Sequence, residues 1–277
     1  MNKNVSLLAI SYVFGFTAAT ITVFLSGIIG SQIASIKSLA TLPTALTVVG
    51  TAVFAAFAAK IMSKIGRKLG FILASLASSI TCLLAAYAIN DRNFILFCIA
   101  NLILGAGMAF THQYRFAAAE SVEKDKAPKA ISIIMLSGIV AAFLGISSAN
   151  YTKDLFTDFQ YVGSYITLAI FMFMPTIFFL FYENKNTIGI EFSKNHTGRS
   201  YFEIISQPRF LQAVIAAAFA YAIMSFLMTA TPMSMHLMEK MSLEKTGLVL
   251  QIHVAAMFLP SLITGHLIKK LGHSNII

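Results

Sequence analysis

His253 is the one histidine set clearly inside a long apolar run, two residues after Gln251 in the stretch from Gly247 to Ile268. A neutral imidazole is the cheaper form in hydrocarbon, and one that titrates could couple a proton to a moving solute; a hydrogen-bonded structural histidine is the other reading. A second polar set, Asn101, His112, Gln113 and Arg115, runs through and just past the stretch from Phe94 to Tyr114. At about 1.5 Å per residue, His112 lies roughly 27 Å and Arg115 roughly 32 Å along a helix from Phe94, at the margin of an apolar layer. There a guanidinium can serve a gate, hold an anionic solute group, or snorkel to water. Tyr221, Ser225 and Thr229 recur every four residues, share one helix face and have Met228 beside them. Hydroxyls with adaptable thioethers suit a small organic ligand, although helix–helix hydrogen bonding uses the same residues. No Asp or Glu falls inside any apolar run, so no carboxylate proton site is visible. Nor is there an H-E-x-x-H, G-x-S-x-G, paired His box or P-loop to support an enzyme reading; no catalytic residue, metal or cofactor is called for.

The elements that must carry these residues are membrane helices. Of 277 residues 57% are hydrophobic and 11% charged, with a mean hydropathy of +0.79; a soluble domain carries about twice that charge. All eleven acidic residues lie between apolar runs. This excludes a disordered chain and an ordinary globular enzyme, and Cys82 and Cys98, both inside apolar runs, are too few and too buried for a disulfide scaffold. A net charge of +9 would suggest nucleic acid in a soluble protein, but the basic residues sit in small clusters beside apolar runs, which is a topology signal. The partners implied are a lipid bilayer and a small solute, not nucleic acid.

Spanning about 30 Å of hydrocarbon takes roughly 20 apolar residues in a helix. Eight stretches qualify: Val5 to Ile29, Leu39 to Ala59, Leu69 to Ile89, Phe94 to Tyr114, Ala130 to Asn150, Tyr161 to Tyr182, Phe210 to Met235 and Gly247 to Ile268. The first is too long for a signal peptide and is read as retained. With the N-terminus inside, fifteen of the 20 Lys and Arg residues fall on the cytoplasmic side and five outside, which sets the orientation. The longest connection, Glu183 to Arg209, divides the chain into residues 1–183, a loop 184–209 and residues 210–277. Within that loop Ser200 and Glu203 form a capping box that predicts a short interfacial helix, stopped by Pro208.

An internal repeat runs across that division. Lys60-Ile61-Met62-Ser63-Lys64-Ile65-Gly66-Arg67-Lys68 follows the second span, and His266-Leu267-Ile268-Lys269-Lys270-Leu271-Gly272-His273 follows the eighth. Aligned on Gly66 and Gly272, both show an apolar pair, a polar residue, a Lys, an apolar residue and Gly. These residues resemble the signature loop of the major facilitator superfamily, Gly-x-Leu-x-Asp-Arg-x-Gly-Arg-Arg/Lys, between the second and third helices of each six-helix half. Lys64, Gly66, Arg67 and Lys68 match in the first copy, and Gly265, Leu267, Lys270 and Gly272 in the second; Ser63 and Lys269 depart from its Asp.

The resemblance, to bacterial drug- and sugar-efflux-like permeases among others, implies an all-α membrane fold: a complete six-helix bundle plus the first two helices of a second. The family has twelve helices, so a chain that stops a few residues after its eighth span is expected to be an incomplete larger molecule. It further implies a multi-pass protein of the bacterial cytoplasmic membrane, monomeric at full length. Its function would be alternating-access transport of a small organic solute, with efflux favoured over vitamin-type import and proton coupling open; the competing readings are a fragment without transport and, less in keeping with the sequence, a membrane enzyme. Glu120 matches the acidic position that pairs with the loop Arg, so the resemblance implies an Arg67–Glu120 ion pair. Asn101 stands where antiporters carry an Arg tied to proton coupling, which argues against that mechanism. Since the first helix of each half lines the cavity in the family, Tyr12 and Thr20 join Tyr221, Ser225 and Thr229 as candidate cavity residues, with Asn101, His112, Arg115 and Gln251 as further cavity or gate residues and His253 as the candidate for proton coupling.

Overall fold

A computed structural model describes residues 2–156, 160–184 and 201–263. Among these, every regular element is helical, and eight helices are long and apolar enough to cross a membrane: Lys3–Ile33, Lys37–Ile65, Arg67–Asn90, Phe94–Glu120, Lys124–Thr152, Val162–Leu180, Pro208–Met238 and Leu243–Ile263. They are numbered here as spans one to eight. Helix is what apolar residues in hydrocarbon must form, because each backbone N–H and C=O then finds its partner within the segment. The short helix read into the central loop is present at Tyr201–Ile205, although Ser200 of the capping box lies outside the described residues. Pro208 opens the seventh span, where a ring without an N–H costs nothing, rather than closing the short helix.

Among the described residues spans one, four and seven are interrupted, and the eighth breaks at Leu259–Pro260. The first consists of two helices, Lys3–Gly15 and Thr17–Ile33, that meet at Phe16. The fourth breaks at His112 and Gln113, between Phe94–Thr111 and Tyr114–Glu120. The seventh passes after Pro232 into a wider π-type turn over Met233–Met238, the loosening expected where a proline removes a helix hydrogen bond.

The second span packs along the fourth, the third along the fourth and sixth, and the first against the fifth and sixth. A close backbone approach between spans two and four is set by two glycines. A Cβ on Gly50 would run into the carbonyl of Leu102, and one on Gly105 into that of Thr47. Small residues are how membrane helices gain contact when lipid is as apolar as leucine. The eighth span lies on the fifth, where the space above Gly138 takes the ring of Phe258 and Gly247 faces Ile146. The seventh span packs on the first chiefly along Thr17–Ile33, with Met233 against Gly27, and of its described helical residues only Met228 and Pro232 are buried.

One face of the bundle is tied by polar contacts. Gly66 ends the second span at φ 83°, a conformation that favours glycine because it has no Cβ. The next residue, Arg67, makes a two-pronged contact with Glu120 at the end of span four, its Nε 2.6 Å from Oε2. Lys68 Nζ donates to the Leu180 carbonyl at the end of span six at 2.6 Å, and its backbone N–H donates to Asn184 Oδ1. Lys3 reaches Glu183 at 2.6 Å, and that ammonium holds the Glu183 carboxyl below its ordinary range. This face is called the basic face below.

A second polar knot lies deep in the bundle. The hydroxyls of Ser26 and Thr47 stand 3.2 and 3.3 Å from Asn101 Oδ1, Asn101 Nδ2 donates to the Phe97 carbonyl at 2.8 Å, and Ser26 Oγ lies 2.9 Å from the Tyr165 hydroxyl. Spans one, two, four and six are thus linked through residues with essentially no exposure. Two tests follow from the packing. Gly105→Ala should destabilise the protein by about 1–3 kcal/mol, the usual cost of overpacking, seen as a lower thermal midpoint of the purified protein. Asn101→Leu, which keeps the volume but removes the knot's centre, should cost about 1–2 kcal/mol in the same assay.

Candidate functional site

Between spans one, two, four, five, seven and eight lies a cavity of about 240 Å³. Two of the helix breaks form part of its wall. Phe16, the residue at which the first span is interrupted, meets His112, at the break in the fourth, with ring centroids 6.4 Å apart. Phe16 also stacks on Tyr12 at 5.1 Å and meets Phe258 edge-on at 5.7 Å. Gly15 allows this juncture, since a Cβ there would press on Thr111 at 3.1 Å. Irregular backbone at membrane depth survives only where it is buried in protein or faces a cavity, and both breaks meet that condition.

The remaining wall is soft and sparingly polar. Met108, Met224, Met228 and Met257 supply thioethers that adapt to a ligand's shape, and Thr44, Thr47 and Thr51 supply hydroxyls from span two. Arg115 is the cation on the wall among the described residues. Its Nε is buried without a hydrogen-bond partner, and its guanidinium carbon sits 4.9 Å from the centroid of the Phe116 ring. Among the described residues no carboxylate stands within ion-pair distance of it.

Of the residues singled out from sequence, Tyr12, Thr20, His112, Arg115, Tyr221 and Ser225 come together on this wall. Asn101 stands behind it, reaching the cavity only through Thr47. Thr229 is absent from the described lining, where Met224 and Met228 appear with Tyr221 and Ser225. At about 100° per residue a position seven along a helix returns to within roughly 20° of its start, whereas one eight along overshoots by roughly 80°. Gln251 turns instead to span five, donating to Ser147 Oγ at 2.9 Å, and lines a separate cavity of about 350 Å³ with Ser242, Glu244 and Lys245, away from the basic face. His253, half-buried, is found on the described lining of neither. In the loop, Gly66, Arg67 and Lys68 make the contacts given above, Lys64 is exposed, and Gly265, Lys270 and Gly272 lie outside the described residues.

Sequence reasoning missed the threonines of span two and Tyr165. Thr44, Thr47 and Thr51 are spaced three and four apart, the signature of a single helix face, and that spacing could have found them. Tyr165 lies about one turn inside the sixth apolar run, and a phenol buried there needs a partner, which Ser26 provides.

The comparisons with known proteins agree with this architecture. The chain is 33% identical to a riboflavin transporter of Brucella anthropi over 280 residues, covering 99% of this chain and 69% of the relative. It is 25% and 24% identical to two uncharacterised MFS-type transporters of Bacillus subtilis, covering 98% and 99% of this chain and 66% of each relative. The chain therefore spans about two thirds of the length of these curated relatives. No solved structure matches it. The family model of the Major Facilitator Superfamily matches residues 6–277, nearly the whole chain and all eight spans, and on that match the chain belongs to the major facilitator superfamily, whose members are membrane transporters and not enzymes.

Proposed function

We propose that the chain forms the greater part of a secondary transporter that carries a small, largely planar organic solute of the flavin type across the bacterial cytoplasmic membrane by alternating access. The observation that carries this reading is the cavity bounded jointly by the early spans and by spans seven and eight. A cavity between two groups of helices can open to either side if the groups rock about it, with the solute staying near mid-membrane. The same reading divides the chain at residues 183 and 209, with 1–183 as one rocking unit and 210–277 as part of the other, and places the basic face in the cytoplasm by the positive-inside bias. Its solute class is supported by the similarity to the riboflavin transporter of Brucella anthropi and by a wall of Phe16, Tyr12, Phe258 and several methionines that suits a flat ring system. At about 240 Å³ the cavity is below the roughly 300–1,000 Å³ of sites for drug-sized ligands, so it holds a small solute or the rigid part of a larger one.

On this reading the signature loop limits how far the basic face opens. The Arg67–Glu120 pair is partly exposed, with 23% and 43% of the side chains accessible, so its loss should change stability by no more than about 1 kcal/mol. Its effect should appear in kinetics instead.

The test is growth of a riboflavin-requiring bacterium, without its own importer, on limiting riboflavin, together with labelled-riboflavin flux measured in both directions in vesicles. Flux above the empty-vector level is expected in one direction at least, and none in either would overturn the reading. Ser225→Trp, which fills the cavity from span seven, should reduce flux about tenfold or more while leaving membrane abundance unchanged. Glu120→Gln should lower the maximal rate more than it changes the apparent affinity.

A further inference from the structure

We infer that Arg115 is the specificity-determining group of the cavity, donating hydrogen bonds to the acceptor-rich edge, carbonyl or anionic, of a planar aromatic solute. The inference deepens the transport reading and rests on it for the assumption that the cavity is a solute site.

Arg115 lacks a partner for one of its donors. A guanidinium partly withdrawn from water is costly unless its donors are satisfied, and Arg115 Nε is buried with no partner. The nearby acids are engaged elsewhere: Glu120 by Arg67, Glu123 by Lys126 and Glu183 by Lys3. Other groups on the wall, hydroxyls, thioethers and rings, balance no positive charge. An acceptor brought in by the solute would satisfy a donor that the protein leaves open.

Geometry then narrows the class. The guanidinium plane is steadied by the Phe116 ring, 4.9 Å from its carbon, and a planar fork of donors matches paired or coplanar acceptors better than it matches a lone hydroxyl. Tyr12 and His112 line the cavity with Arg115, and Phe16 is stacked on Tyr12 and in edge contact with His112. Aromatic faces beside a fixed cationic fork favour a flat ring carrying its acceptors on one edge. A neutral polyol or a cation would leave the fork unmatched or repel it.

The experiment measures binding to the purified chain in detergent micelles, using two probes: riboflavin, which carries ring carbonyls, and anthraquinone-2-sulfonate, a planar anion unrelated to flavins. Affinity is compared among the parent protein, Arg115→Lys and Arg115→Gln, and size-exclusion profiles and thermal midpoints confirm that each variant is folded. The expected result is that Arg115→Gln weakens binding of either probe about tenfold or more, as loss of a charge-assisted hydrogen bond does, with Arg115→Lys between it and the parent. Arg115-dependent binding of the sulfonate without any binding of riboflavin would support the role of Arg115 and count against the flavin class. Equal affinity of the parent and Arg115→Gln for every probe that binds, or no binding of either probe by the parent, would overturn the inference.

Discussion

Every feature of this protein answers to one constraint: in hydrocarbon no backbone N–H or C=O can go without a partner. Eight runs of the chain meet it as helices, and the constraint gives meaning to the places where the helices fail. The breaks at Phe16 and at His112–Gln113 sit in different spans far apart in sequence, yet their rings meet at 6.4 Å on the wall of the same cavity. Where lipid would penalise a loosened turn, protein and cavity accept it.

Around that region the packing is graded. Spans two and four are locked backbone to backbone at Gly50 and Gly105, and the Asn101 knot adds directional contacts that join span four to spans one and two, with Ser26 extending the link to Tyr165 of span six. The basic face adds a third tie through Arg67, Lys68 and Lys3. Spans seven and eight are held differently. The eighth rests along the fifth through Phe258 on Gly138 and Gln251 on Ser147, while the seventh meets the first chiefly in the half remote from the basic face. The early spans are thus tied to one another at several points, whereas the seventh buries only Met228 and Pro232 of its described helical residues.

The polar chemistry is economical for the same reason. Buried hydroxyls and amides satisfy one another in the knot, and charges gather at the span ends. Arg115 falls between these regimes, on the cavity wall with a buried donor left open. In a bilayer protein a charge placed so is a functional hypothesis by default.

Much of this was legible in the residues alone. Segregation of the few charges from long apolar runs dictates membrane helices and their number, because length and hydropathy are local properties that hydrocarbon reads directly. The signature residues Gly66, Arg67 and Lys68 pointed to the family. What the linear pattern left open was which polar residues face the cavity. Tyr221, Ser225 and Thr229 look alike on a four-residue spacing, yet the described wall carries Tyr221, Ser225 and Met228, because helical drift accumulates to decide the face. Asn101, Gln251 and Arg115 are each a polar residue in or beside an apolar run. Only the packing of neighbouring spans decided that the first is enclosed by Ser26 and Thr47, the second is held by Ser147, and the third is left with an open donor on the cavity. A side chain's type is written in the sequence, whereas its partners come from other helices and exist only once those helices are packed.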